Sequence, residues 1–187
     1  IEPNPFYLLK NHADHDSYQE VLNIRDIIKA NAFKETWGQA AEQFADYWNG
    51  SGAWKKMDEL RREKFAEALK PNFHEFDCVI NETTTLEEWR DVLPLNTHIL
   101  FSEQTVNSIR KIVTIFEETM SNWTFHSYSD GAHMAPLTHP NAPSAKGQHQ
   151  RLLLLGYILP SPTACFIGGL EKVTALESQP PEHYTQK

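Results

Sequence analysis

The stretch of residues 97–133, THILFSEQTVNSIRKIVTIFEETMSNWTFHSYSDGAH, predicts a strand, a helix and a second strand, followed by a loop. Residues 97–102 and 123–128 are short runs rich in apolar and β-favouring side chains, whereas residues 105–120 repeat apolar side chains at helical spacing. A helix of this length can cross over between two parallel strands. The stretch therefore predicts an α/β fold with parallel strands.

The loop after the second predicted strand carries a histidine, His133, close behind a glycine, Gly131. In open α/β sheets, ligands bind at the carboxyl ends of the strands, which is where this loop begins. A histidine with a pKa of about 6.5 accepts and returns a proton near neutral pH. His133 is therefore a candidate general base; the alternative is that it only packs or forms a hydrogen bond within its turn.

The remainder of the chain divides into three further segments. Residues 1–5 contain Pro3 and Pro5 and are predicted to end a strand, whereas residues 143–187 lack periodicity and are predicted to be a divergent, poorly ordered tail. Between them, residues 6–93 are predicted to be helical, and residues 94–142 hold the strands and the histidine loop. The predicted helices cover residues 17–34 with Ser17 as the N-cap, 38–47, 57–69, 72–82 (where a strand is also compatible) and 86–92.

The overall composition predicts a soluble globular protein. The chain has 187 residues, 40% of them hydrophobic, and a formal net charge of −8 with scattered basic residues, so nucleic acid is not an expected partner. Its longest apolar run, residues 152–155, is much shorter than the roughly 20 residues that span a bilayer. No secretory leader pattern is visible, so we expect no membrane association and a cytoplasmic location.

No cofactor or metal is expected from the sequence. His12 and His15 form a possible metal-binding pair, but a third ligand that converges on them is missing. Cys78 and Cys165 lie far apart without Cys-x-x-Cys spacing, so a zinc ribbon is not indicated.

Two motifs in this order, YWNGSGAW at residues 47–54 and GAHMAPLTHP at residues 131–140, resemble the C-terminal half of the α/β-hydrolase fold family. The particular resemblance is to bacterial-type members whose cap helices carry a Trp-Asn-Gly-x-Gly-x-Trp turn. It implies an incomplete α/β-hydrolase fold. Residues 1–5 would end a core strand, residues 6–93 would form the helical cap and a returning helix, and residues 94–142 would contain the C-terminal parallel strands, a crossover helix and the histidine loop.

The resemblance also implies an enzyme that hydrolyses an ester or similar bond in a small organic molecule, with His133 as general base. Members of this family carry the nucleophile in a Gly-x-Ser-x-Gly elbow upstream of the histidine. No serine in this chain has that context; Ser51 has glycines directly beside it instead. The chain is therefore expected to be one part of a hydrolase and inactive alone. Its partner would be the missing N-terminal half, and its unpaired sheet edge would favour self-association.

The acid of the implied catalytic triad has two candidates. Family members commonly carry aspartate where this chain has Thr105, which cannot supply a negative charge. Glu2 and Glu103 remain, and Glu2 is favoured because some members of the fold keep their acid at the end of that strand. The alternative for Glu2 is a surface carboxylate near a chain terminus.

Aromatic residues of the cap are candidates for contact with the substrate. Trp48, Trp54 and Met134 are predicted to bind substrate, since caps on this fold cover the site with apolar and aromatic side chains. Core packing is the alternative role for the tryptophans, which include Trp37 and Trp89. The alternative function is a non-catalytic remnant of a hydrolase, whose helical surface binds a partner protein.

Overall fold

Two parallel strands joined by a long helix follow a series of packed helices. The structure, a computed structural model, describes residues 2–12, 15–129 and 131–133, which belong to one compact unit. Its elements are α1 (Tyr7–His12), α2 (His15–Phe33), α3 (Trp37–Asn49), a 3₁₀ turn (Trp54–Lys56), α4 (Glu59–Ala68), α5 (Asn72–Asn81), α6 (Leu86–Val92), β1 (His98–Ser102), α7 (Asn107–Thr119) and β2 (Thr124–Tyr128). Within the described ranges, no helix combines the length and apolar content needed to cross a membrane.

The strand–helix–strand prediction for residues 97–133 is confirmed. β1 and β2 pair in parallel, with His98 opposite Thr124 and Ser102 opposite Tyr128. The crossover helix α7 forms because its apolar side chains recur on one face, and it buries that face in the core. The chain is therefore an α/β protein in which the described part is mostly helical. Because the strands are parallel, Ser102 and Tyr128 end them at the same edge.

The helical layer is held together by apolar stripes. On α2, Val21, Ile24 and Ile28 are buried at the spacing of one helix face. They pack in the same core as the small buried side chains of α3, Ala40 and Ala41, which allow helices to approach closely. The predicted helices of residues 6–93 are thus confirmed as elements, with their ends shifted by a few residues.

The N-terminal boundary of α2 differs from the prediction. The helix begins at His15, so Ser17 lies inside it and is not its N-cap. The Ser17 hydroxyl instead accepts a hydrogen bond from Asn107 Nδ2 at 2.9 Å. Glu20, which a capping box would use, accepts hydrogen bonds from the Tyr47 hydroxyl and from the backbone N–H of Ser108. Long-range contacts with α3 and α7 thus replace the local cap.

The N-terminal helix α1 was not predicted, and one ambiguous segment is resolved. With only six residues, α1 is too short to display a helical period in the sequence. Residues 72–82 adopt the favoured helix, α5, and bury Phe76 and Ile80 four residues apart. Residues 2–5 have no regular secondary structure, and Ile1 lies outside the described residues, so the predicted strand end stays a prediction. The tail, 143–187, lies outside the described residues as well.

A glycine turn follows the last residue of α3, Asn49. Gly50 has φ 87° and ψ 155°, a backbone conformation that side chains with a Cβ rarely adopt. The Asp46 carboxylate accepts hydrogen bonds from the backbone N–H groups of Trp54 and Gly52, both at 2.9 Å. These bonds hold the pKa of Asp46 below its usual value, because they stabilise the ionised carboxylate. The motif at residues 47–54 therefore encodes a tight turn.

Replacing Gly50 by alanine is expected to destabilise the protein by about 1–3 kcal/mol, because the new Cβ is strained at this positive φ. Gly38 provides the matched control: it lies in α3 without a positive φ, and alanine there is expected to stabilise by about 0.5–1 kcal/mol. Urea denaturation of both variants checks the difference. Equal free energies of unfolding for the two variants would contradict the strain at Gly50.

Candidate active site

The side chains of Glu2 and His133 meet at the carboxyl end of the parallel strands. Oε2 of Glu2 lies 2.6 Å from Nδ1 of His133, although the two residues are 131 positions apart in the chain. Oε1 of Glu2 accepts a hydrogen bond of 2.8 Å from the backbone N–H of Ser102, the last residue of β1. His133 follows the end of β2 by five positions. Two of the three predicted catalytic residues are therefore brought together.

The loop that carries His133 is anchored to the end of β1. The Ser102 hydroxyl donates to the backbone oxygen of Gly131 at 2.6 Å, and Gln104 Nε2 donates to the backbone oxygen of Ser129 at 2.9 Å. Gly131 has φ 81°, so a glycine is favoured at this turn. These contacts hold the loop against the end of β1. The same strand end binds Glu2 through the backbone N–H of Ser102.

The Glu2 carboxylate is buried and fully hydrogen-bonded. Its side chain is 0% exposed, so the alternative of a surface carboxylate is wrong. It accepts hydrogen bonds from Ser102 N, from Thr105 Oγ1 at 2.9 Å and from Nδ1 of His133. A buried carboxylate without such donors would be strongly disfavoured. The three donors therefore supply the hydrogen bonds that a buried carboxylate needs.

A buried tyrosine, Tyr128, lies close enough to Glu2 to respond to its charge. Burial, together with the negative charge of Glu2, raises the pKa of Tyr128 to about 12. The phenol is therefore neutral at physiological pH and adds no second negative charge beside Glu2. Its hydroxyl and Nε1 of Trp48 are the buried side-chain polar atoms in the described part of the chain that lack a hydrogen-bond partner.

The contact with Glu2 determines which nitrogen of His133 is available. An ionised carboxylate only accepts hydrogen bonds, so a neutral imidazole in this contact would carry its proton on Nδ1 and keep a lone pair on Nε2. The His133 side chain is 23% exposed, and Nε2 has no hydrogen-bond partner among residues 2–12, 15–129 and 131–133. An imidazole whose Nδ1 contacts a carboxylate, and whose Nε2 has no partner among these residues, has the arrangement of a general base.

The predicted substrate-binding residues have different surroundings. The Trp48 ring lies 4.1 Å from the His133 ring, between centroids, and covers one side of the imidazole. The Trp54 ring instead packs against the Phe65 ring, with the centroids 6.2 Å apart. The guanidinium carbon of Arg62 lies 5.7 Å from the centroid of the Trp54 ring. Trp48, which is buried, is therefore beside the Glu2–His133 pair, and Trp54 packs against α4. Met134 lies outside the described residues.

Trp37 and Trp89 pack in or against the helical core, as Trp48 and Trp54 also do. Trp89 Nε1 donates to the hydroxyl of Tyr7, which in turn donates to the backbone oxygen of Thr84. Trp37 is partly buried against the core cluster. Both therefore contribute to helix packing.

Glu103, the second candidate acid, does not contact His133. It is exposed, and its carboxylate accepts a hydrogen bond from the Ser127 hydroxyl at 3.0 Å. Its backbone N–H donates to the oxygen of Tyr128, which links the turn after β1 to the end of β2. Its observed contacts connect the two strand ends.

Two residues of the site, Ser102 and Thr105, were not predicted to take part in it. Both donate to Glu2, one through its backbone and one through its hydroxyl. The sequence contained one signal for Thr105, since it occupies the position where the resembled family commonly has its acid. No such signal marks the backbone N–H of Ser102.

The part of the chain that the structure describes contains no cluster of side chains that could bind a metal ion. Among the residues that the structure describes, no three His, Cys, Asp or Glu side chains lie close enough together to hold a metal ion. The described site consists of the Glu2–His133 pair, the donors that bind Glu2 and the Trp48 ring.

Comparison with known proteins adds no relative. No protein-family model, no curated protein and no solved structure matches this chain. The chemistry of the chain is therefore inferred from the Glu2–His133 pair and the strand ends around it.

Proposed function

We propose that this chain is the C-terminal part of an α/β-hydrolase that cleaves an ester or similar acyl bond in a small organic molecule. The observation that carries the proposal is the contact of 2.6 Å between Nδ1 of His133 and the buried carboxylate of Glu2. It occurs at the carboxyl edge of two parallel strands, which is where ligands bind in open α/β sheets. In this proposal His133 is the general base and Glu2 is the acid.

In each of the two half-reactions of the proposed mechanism, Nε2 of His133 takes up one proton and gives it back. Nε2 takes the proton of a hydroxyl nucleophile as its oxygen attacks the carbonyl carbon, and then gives that proton to the leaving oxygen. The oxygen of a water molecule, deprotonated by the same nitrogen, then attacks the acyl carbon. Nε2 returns this proton to the oxygen of the nucleophile as the bond between that oxygen and the acyl carbon breaks, and the carboxylic acid leaves. Glu2 holds the ring in the required tautomer and stabilises the positive imidazolium that forms in each step.

The proposed nucleophile lies outside these 187 residues. None of the serines has the Gly-x-Ser-x-Gly context in which this fold presents its nucleophile. The parallel pair β1–β2 is also smaller than the sheet that an α/β-hydrolase uses, at least in the described part of the chain. We therefore assign the nucleophile and the oxyanion donors to a segment that precedes Glu2. In this proposal the substrate is a small molecule that packs near Trp48. The cytoplasmic location stays a prediction.

The coding DNA upstream of the Ile1 codon tests this proposal directly. We expect an open reading frame, continuous with this chain, that encodes a Gly-x-Ser-x-Gly elbow after a predicted strand. Sequencing the transcript across this junction checks the expectation. An in-frame upstream sequence without any nucleophile elbow would remove the catalytic proposal and leave a non-catalytic protein.

The 187 residues alone are expected to show no His133-dependent hydrolysis of short-chain nitrophenyl esters, because the acyl-accepting group is missing. The measurement compares nitrophenol release by the unsubstituted chain and by His133→Ala. A His98→Ala variant serves as control, since His98 is exposed and any reaction of its imidazole belongs to the background. Turnover that is lost only in His133→Ala would contradict the assignment of the nucleophile to another segment.

A further inference from the structure

We propose that Thr105 is a positioning residue that aims the Glu2 carboxylate at His133; this inference rests on the proposed function. Thr105 is buried, and its Oγ1 donates to Oε2 of Glu2 at 2.9 Å. The same oxygen accepts the proton of Nδ1 of His133. One carboxylate oxygen is therefore shared by the hydroxyl and the imidazole.

The geometry of these donors fixes the orientation of the carboxylate. A carboxylate oxygen has two lone pairs, so a hydroxyl that occupies one of them leaves the other for Nδ1–H. The second oxygen, Oε1, is held by the backbone N–H of Ser102. With both oxygens hydrogen-bonded, the carboxylate cannot rotate away from His133 without breaking a hydrogen bond.

The position of Thr105 itself is set by the turn after β1. The backbone N–H of Thr105 donates to the oxygen of Ser102 at 3.2 Å, which closes this turn. Arg110 Nη2 donates to the backbone oxygens of Glu103 and Thr105, at 3.1 and 3.3 Å. The Thr105 hydroxyl is therefore presented to Glu2 by an anchored backbone. This favours a defined direction for the Thr105–Glu2 bond.

The test is an NMR measurement of the proton on Nδ1 of His133 in the full 187-residue chain. Thr105→Val keeps the size of the side chain but removes the donor. We expect exchange of the Nδ1 proton with water to become about ten- to hundredfold faster, since hydrogen bonds to charged groups have free energies that correspond to such factors. Thr105→Ser restores the hydroxyl and is expected to restore slow exchange.

Thr84→Val is the matched control. Thr84 is also buried and its hydroxyl also donates to a glutamate, Glu82, at 3.0 Å. This variant is expected to leave the Nδ1 proton unchanged. If Thr105→Val lowers the melting temperature but leaves the exchange of the Nδ1 proton as it was, Thr105 has only a structural role and the inference is overturned.

A further measurement needs no substitution, in case Thr105→Val does not fold. The hydroxyl proton of Thr105 and the Nδ1 proton of His133 both point at Oε2 of Glu2, so a nuclear Overhauser effect between them is expected. Its absence, with the Nδ1 proton visible, overturns the inference alone. Absence of a protected Nδ1 proton in the unsubstituted chain counts against the proposed function itself.

Discussion

Replacing Glu2 by glutamine is expected to move the proton of neutral His133 from Nδ1 to Nε2. The backbone N–H of Ser102 can only donate, so the amide oxygen of the glutamine must take the place of Oε1. The amide NH₂ group then faces His133 and donates to Nδ1, which has to be unprotonated. Nitrogen-15 NMR of histidine-labelled protein distinguishes the two tautomers directly.

The consequence of this change for catalysis is large. An imidazole that carries its proton on Nε2 cannot accept one from a nucleophile. Replacement of the aspartate in a serine protease triad by asparagine has this effect and lowers kcat by about 10⁴-fold. Under the proposed function, we expect a loss of the same order for Glu2→Gln in the complete protein, provided that the fold is retained.

Glu103→Gln is the control for this experiment. Glu103 contacts Ser127 and is exposed, so the substitution is expected to leave the tautomer of His133 unchanged. If Glu2→Gln retained the proton on Nδ1, or if Glu103→Gln moved it, the assignment of Glu2 as the acid would be wrong.

Replacing Phe6 by alanine is expected to cost about 3–5 kcal/mol of unfolding free energy, the range for deletion of a buried phenylalanine. Phe6 is 2% exposed. Its ring stacks on the Phe76 ring, with the centroids 6.1 Å apart, and lies 6.3 Å from the Trp48 ring between centroids. It joins α5 to the tryptophan that covers His133. Urea denaturation measures the loss.

Phe33→Ala removes a phenylalanine ring from a surface position and is the control for the effect of burial. Phe33 is 80% exposed, so its loss is expected to change the unfolding free energy by no more than about 0.5 kcal/mol. A loss for Phe6→Ala as small as that for Phe33→Ala would show that the packing of Phe6 against Phe76 and Trp48 does not stabilise the fold.

The fold was predictable from the sequence where local patterns determine it. α7 repeats apolar residues with a helical period and β1 is bounded and β-favouring, so both were recognised from local sequence. The start of α2 was predicted wrongly because Ser17 is used by Asn107 from a distant helix. Such a contact depends on how the helices pack, and no local period encodes it.

The candidate site was predictable only in part for the same reason. His133 follows a glycine turn after a strand, which is a local signal, whereas the choice between Glu2 and Glu103 depends on a contact over 131 positions. Trp48 and Trp54 belong to one motif and looked alike in the sequence. Because the chain turns at Gly50, the two rings have different neighbours. Trp48 packs against His133, and Trp54 packs against Phe65.

The most direct test of the central claim is the nitrogen-15 NMR spectrum of histidine-labelled, unsubstituted protein, recorded at alkaline pH. The Glu2–His133 contact predicts that His133 populates the Nδ1–H tautomer, with its proton protected from exchange with water. A His133 signal typical of the Nε2–H tautomer would contradict the acid–base pair, and with it the proposed role of this chain in hydrolysis.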